Sequence, residues 1–260
     1  MSEIWGIIQN NFVIVIMVLA RVGGIFTFNP IFSRNGVPNV IKAGLSLMLA
    51  VVMAASGDFS YTIPNGLLPF AFDIAKELLV GFTLGFFVNL LLQLFSYAGE
   101  VADYQIGLSM AKSYDPTFGS SSLITKYYSY WFMIYFFMAG GHLSYIRLFA
   151  ASYETIPIGF SSLNVNFAYL IVQYLETVMT LGLKLAMPVL AAELVTEFCI
   201  GVLMKAVPSI HVFVLNVQIK MLVGFAVLAF SCSMVSGFME DIMDLLFANL
   251  NGLLEQMAAV

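Results

Sequence analysis

Charge is scarce in this sequence. Only 10% of its 260 residues are charged, 10 Lys and Arg against 15 Asp and Glu. A soluble domain carries about 25%, so these side chains cannot clothe a water-facing surface and the chain belongs in or against a membrane. Lys and Arg stand singly and scattered, with a net charge of -5. No basic stripe exists to neutralise phosphates, which argues against a nucleic-acid partner. Cysteine is almost missing. Cys199 and Cys232 both lie inside apolar runs, where small buried hydrophobes are expected rather than a disulfide framework. The two histidines, His142 and His211, form a metal cluster only if distant segments converge. The opening Met-Ser-Glu-Ile-Trp lacks a basic stretch, and no small-residue cleavage site follows it. A retained first helix is therefore expected rather than a signal peptide.

Enzyme fingerprints are lacking as well. H-E-x-x-H, C-x-x-C, the P-loop and G-x-G-x-x-G do not occur. Gly107-Leu108-Ser109 is a decoy for an intramembrane serine protease, since nothing in the sequence ties Ser109 to either histidine. No catalytic residue, cofactor or metal is expected, and the chain reads as a non-enzyme.

What is present is apolar: 61% of residues are hydrophobic, with 24 Phe, and mean hydropathy is +0.95. A bilayer-spanning helix needs roughly 20 mainly apolar residues. About six apolar runs answer that description: Ile7–Phe28, Val40–Ser56, Leu67–Phe95, Leu123–Ala151, Phe167–Met204 and Ile210–Val235. The fold class is all-α, an integral-membrane type of long kinked helices and helical hairpins. As one helix the fifth run would be about 57 Å long at 1.5 Å per residue. That exceeds one crossing, so Gly182 and Pro188 mark a kink or a hairpin. Arg34, Lys42, Lys112, Lys126 and Lys205 fall in odd-numbered connectors, while the even ones hold Asp58 and Glu154. That bias puts the odd connectors in the cytoplasm and both termini outside. The tail repeats Ile242, Leu245, Leu246, Leu250, Leu253 and Met257 at helical spacing beside Glu240, Asp241, Asp244 and Glu255. An acidic face of this kind suits packing on another protein better than lying on anionic lipid.

The charges inside the runs need partners. Arg21, Asp73, Lys76, Glu77, Glu193 and Lys220 would each cost roughly 2.5–3.5 kcal/mol at a helix centre. Pairing across helices or with neighbouring subunits is the favoured reading. The alternative is an ion-coupled secondary transporter of a small solute, with Asp73, Glu77 and Glu193 as ion ligands. Gly81-Phe-Thr-Leu-Gly85 is a G-x-x-x-G pattern for close helix packing. Between two apolar runs lies a polar, glycine-bearing stretch, 99–119, with Glu100, Asp103, Lys112 and the turn-starting pair Asp115-Pro116. Irregular polar backbone at such a place lines a path or meets a partner.

An ordered series of landmarks runs through the chain: Arg21, Gly23 and Gly24; Pro30, Val37-Pro38 and Lys42; Glu77, Gly81 and Gly85. It continues with Gln93, Gly99, Asp103, Gln105, Gly107 and Asp115-Pro116, then Gly140-Gly141-His142, Ser152 and Pro157. Ala186, Pro188, Gly201, Pro208, Phe213 and Lys220 complete it. This order and spacing over roughly 4–238 resembles the FliR family of type III export-gate subunits, flagellar proteins with injectisome counterparts. One departure is Pro208-Ser-Ile-His-Val-Phe213, where the family usually carries Gln and Asn.

The resemblance implies a structural channel subunit in the bacterial inner membrane, at the flagellar basal body. It implies FliP-like and FliQ-like subunits as partners, with an FlhB-like neighbour and unfolded secreted proteins as cargo. Residues 1–160 would be a FliP-like half and 161–260 a FliQ-like helical hairpin with an amphipathic tail. Residues 107–122 would match the loop that plugs the closed pore, carrying Gly107, Leu108, Ser109, Met110, Lys112, Tyr114, Asp115, Pro116 and Phe118. Met110 would join a methionine-lined constriction or pack in a core. Arg21, Asp73, Lys76, Glu77, Glu100, Asp103, Glu193 and Lys220 would be buried charges at subunit interfaces.

Overall fold

The structure, a computed structural model, describes residues 2–31, 38–57, 59, 61–64, 66–109, 122–160, 164, 167–206 and 212–258. Helices make up the architecture: α1 (Ser2–Phe28), α2 (Asn39–Ser56), α3 (Leu67–Ile106), α4 (Leu123–Met138), α5 (Gly141–Thr155), α6 (Phe167–Ala206), α7 (Val212–Phe230) and α8 (Cys232–Ala258). No strand occurs among the described residues, as the all-α reading expects.

Six spans were expected; the described residues contain three helices long and apolar enough to cross a membrane, α2, α3 and α6. A fourth exists if Leu215–Phe230 and Met234–Ala258, bent by 62°, are counted as one. The run Leu123–Ala151 does not make a span because Gly140, at φ 72°, breaks it. A left-handed residue ends a helix, and glycine takes that conformation without a Cβ penalty. The resulting α4 and α5 have 16 and 15 residues, short of the roughly 20 a crossing needs. Pro188, by contrast, makes no hairpin. It sits inside the 40-residue α6, which runs on past it.

The chain forms two compact units. The first comprises Met1–Leu90, Gly140–Tyr174 and Leu245–Val260. Its core is built from Met17, Val18 and Val22 of α1, Val80, Leu84 and Val88 of α3, Tyr145 and Phe149 of α5, and Leu250, Leu253 and Met257 of α8. Gly81 and Gly85 let α1 and α3 meet backbone to backbone. A Cβ on Gly81 would run into the Arg21 carbonyl, and one on Gly85 would come within 2.9 Å of the Ile25 carbonyl. The matching four-residue steps show the two helices running parallel. This is the close approach expected of G-x-x-x-G. The apolar stripe of the tail, expected to pack on another protein, is instead covered by this chain: Leu246, Leu250, Leu253 and Met257 are fully buried. Leu245 is half-buried, and Glu255 stays exposed.

The second unit comprises Leu91–Ala139 and Leu175–Asp244. Ile124, Tyr128, Phe132 and Phe136 place a buried stripe on α4 at four-residue spacing, the period of one helix face. Phe132 meets Phe95 of α3 with ring centroids 5.0 Å apart. Glu193 and Glu197 of α6 lie opposite Gly224 and Lys220 of α7, so α6 and α7 run antiparallel here. Cys199 is exposed and Cys232 half-buried, and both are free. The expectation of two buried cysteines fails for Cys199, whose face of α6 is uncovered, and holds only in part for Cys232, which the Tyr127 hydroxyl meets at 3.9 Å.

Candidate functional site

Arg21 is the most connected charge of the first unit. Gly81 brings α1 onto α3, and Glu77 sits one turn before Gly81, so the Arg21 side chain lies along the Glu77 carboxylate. Both are fully buried, with Nε donating to Glu77 Oε2 at 2.7 Å. The remaining donors reach the end of α5. One terminal nitrogen donates to the Ser152 carbonyl at 3.0 Å and its hydroxyl at 3.2 Å, the other to the Ile156 carbonyl at 2.9 Å. The guanidinium also lies 4.1 Å from the centre of the Tyr153 ring. The Gly159 amide donates to the second Glu77 oxygen at 3.2 Å. A planar fork with five donors suits such a hub, and a lysine could not replace it. The sequence pointed to Arg21, Glu77 and Ser152. It gave no signal for Tyr153 or for the Ile156 carbonyl, which is backbone.

Asp73 and Lys76 are a neighbouring pair with its own partners. Lys76 Nζ stands 2.9 Å from Asp73 Oδ1 and donates to the Phe160 carbonyl at 3.2 Å. The Tyr61 hydroxyl donates to Asp73 Oδ2 at 2.9 Å. Burial, then that hydrogen bond and the Asp73 charge, push the Tyr61 hydroxyl well above its ordinary range. Asp73 and Glu77 are thus both engaged by cations and donors of this chain, which takes two of the three carboxylates away from the transporter reading.

In the second unit, Asp103 is buried and clamps the point where the polar stretch returns to helix. Its oxygens accept the Leu123 and Ile124 amides at 3.2 and 3.4 Å. Ser122 caps α4, its hydroxyl accepting the Thr125 amide at 3.1 Å and donating to the Gly99 carbonyl at 3.1 Å. Serine at this position satisfies an amide the helix start leaves unpaired. Gly107, at φ 89°, turns the chain out of α3, and Leu108 is buried. Residues 99–106, expected to begin the irregular polar stretch, instead continue α3 as helix, and the two ends of what remains, at Gly107 and Ser122, are anchored on the same part of α3. Ser122 was missed in the sequence, although a serine directly before an apolar run is an N-cap signature. Of the expected plug residues, Gly107, Leu108 and Ser109 are described. Met110, Lys112, Tyr114, Asp115, Pro116 and Phe118 lie outside the described residues.

Glu100 is exposed. Lys220 Nζ stands 3.5 Å from Glu197 Oε2, and Glu193 is buried nearby. Of the eight charges expected to be buried, Arg21 pairs with Glu77 and Asp73 with Lys76, Lys220 pairs with Glu197, Asp103 holds two amides, and Glu100 is not buried because its face of α3 is uncovered in this chain. Among the described residues, no three or more His, Cys, Asp or Glu side chains are placed to hold a metal ion.

A helical membrane protein with a buried ion pair and an anchored polar stretch is the class this architecture defines. The model of the family "Bacterial export proteins, family 1" matches residues 12–246, and the chain belongs to that family. Among its relatives is the flagellar biosynthetic protein FliR of Escherichia coli K12, 26% identical over 248 residues and 93% of each chain. FliR of Bacillus subtilis 168 is 26% identical over 246 residues, 92% of this chain and 93% of the relative. The surface presentation of antigens protein SpaR of Shigella flexneri is 26% identical over 219 residues, 83% of each chain. The resemblance read from the landmark residues is thus the family the chain belongs to.

Proposed function

We propose that this chain is a channel subunit of the flagellar type III protein export gate, and that residues 107–122 plug its pore at rest. It is a membrane-embedded component of the type III export apparatus, in keeping with its family and its three long apolar helices. The finer reading adds FliP-like and FliQ-like subunits as partners, an FlhB-like neighbour, unfolded proteins as cargo, and the bacterial inner membrane at the basal body as the place. Residues 1–160 are read as the FliP-like half and 161–260 as the FliQ-like half, and the antiparallel α6–α7 pairing fits a helical hairpin in the latter.

The observation that carries the plug is the anchoring of both ends of the stretch by Asp103, Ser122 and Gly107. A segment held at both ends on rigid helices can move aside for cargo and return while the wall keeps its shape. Exposed apolar side chains, Val40, Met48 and Val52 on α2 and Val195, Phe198 and Val202 on α6, suit a cover of lipid or of other subunits.

The test removes residues 111–119 and measures ion leak across the membrane together with the native mass of the complex purified through a tag on this chain. The expected result is a leaky membrane, with this chain still recovered alongside several copies of two other hydrophobic subunits. An intact complex in a sealed membrane sinks the plug. A stable monomer or homo-oligomer sinks the gate.

A further inference from the structure

Glu193 stands apart from every other buried acid described so far. It is fully buried, and neither carboxylate oxygen accepts a hydrogen bond among the described residues. Its surroundings are tight. A Cβ on Gly224 of α7 would lie 3.1 Å from Glu193 Oε1 and 2.5 Å from the Ile106 side chain of α3. Glycine at 224 therefore leaves room for the carboxyl, and Ile106 closes the space beside it.

The charged groups around it are few. On its own helix Glu197 lies one turn on, the same face at i+4. From α7 comes Lys220, one turn from Gly224, whose ammonium is 3.5 Å from Glu197 Oε2. From α3 comes the apolar Ile106, and Asp103 one turn earlier binds the Leu123 and Ile124 amides. A lone ionised carboxylate without hydrogen bonds is among the most unfavourable groups to bury, whereas a neutral acid is far less so. A fully buried side chain is out of reach of a partner subunit or a hydrated ion, which leaves a proton, or the Lys220 side chain already packed alongside, to balance it.

We propose that Glu193 is a proton-binding site: its carboxyl is held as the neutral acid between α6 and α7, with Lys220 one turn away as the cation that takes its place. When the acid O–H bond breaks, the proton leaves to water and the carboxylate appears beside Lys220. The ammonium then moves from Glu197 to Glu193, and Glu197, whose side chain is 57% exposed, is left to solvent. Protonation thus selects which of two glutamates on one face of α6 holds α7. The proposal does not rest on the export reading.

Infrared spectra of the full-length protein in its purified complex, in H2O and in D2O near neutral pH, test it. The wild type should show a protonated-carboxyl band that shifts in D2O. Glu193→Gln should lose that band, and Glu197→Gln, which frees Lys220 to pair with Glu193, should weaken it. Absence of the band from the wild type, or its persistence in Glu193→Gln, overturns the proposal. Lys220→Met decides the matter should Glu193→Gln fail to assemble. With Glu193 neutral, the band keeps its wild-type intensity in that variant. If Glu193 is instead ionised and dependent on Lys220, the variant gains a new protonated-carboxyl band or loses the complex, and either result overturns the proposal.

Discussion

Glu77 and Glu193 are both fully buried glutamates on 40-residue apolar helices, one in each compact unit, and their surroundings differ in every respect. Glu77 has an arginine, a backbone amide and a glycine-made helix contact that brings them within reach. Glu193 has a glycine that makes room and no donor among the described residues. The helices carrying them differ in the same sense. In their most apolar windows α3 is 56% buried and α6 only 17%. An ion pair can be sealed in where the helix is enclosed on most sides. The lesson is that a buried charge in a membrane protein is fixed by what its own helix packs against, not by the hydropathy of its run.

The comparison breaks most sharply at Arg21. Replacing Arg21 or Glu77 by alanine strands the other as an uncompensated buried charge, which costs about 3–5 kcal/mol. Thermal unfolding of the detergent-extracted protein should show this as a large drop in midpoint. An Arg21→Met, Glu77→Leu double variant should recover most of it, since both charges leave together. Gly81→Ala drives a methyl into the Arg21 carbonyl and separates α1 from α3. A loss of about 1–3 kcal/mol is expected, and protease sensitivity of the α1–α2 region would report it.

Smaller effects belong to the second unit. Ser122→Ala removes the α4 cap and should cost about 1 kcal/mol, read as a modest fall in the unfolding midpoint while the complex keeps its mass. Glu193→Gln preserves shape and removes no hydrogen bond, so its midpoint should stay within about 0.5 kcal/mol of wild type. A fall as large as that of Glu77→Ala would show that Glu193 is an ion-pair partner after all, and the contrast between the two glutamates would be lost.

The G-x-x-x-G contact, the all-helical fold and the identity of Arg21 and Glu77 as buried charges were legible in the sequence, because each rests on local pattern. The number of crossings was not. Hydropathy does not register Gly140 entering the left-handed region, and it cannot tell a Pro188 that ends a helix from one that the helix runs past. Pairing was only half legible. Asp73 and Glu77 lie one turn apart on one helix, yet Tyr61, Lys76, Gly159 and Phe160 give them two separate sets of contacts. Lys76 was in the helix pattern, but Tyr61 and the Gly159 and Phe160 backbone groups come from connectors, where side-chain pattern carries no signal. The tail was misjudged for a related reason: an amphipathic helix declares that it has an apolar face, not whose surface covers it.

Asp103 and Ser122 tie the start of α4 to α3 at a fixed point, whatever lies between them. Lengthening a chain segment whose ends are already fixed adds only about 0.6 kcal/mol per doubling. Insertions and deletions between residues 109 and 121 should therefore be nearly invisible to the fold. Relatives of this chain can differ in length there while α3 and α4 keep the same junction.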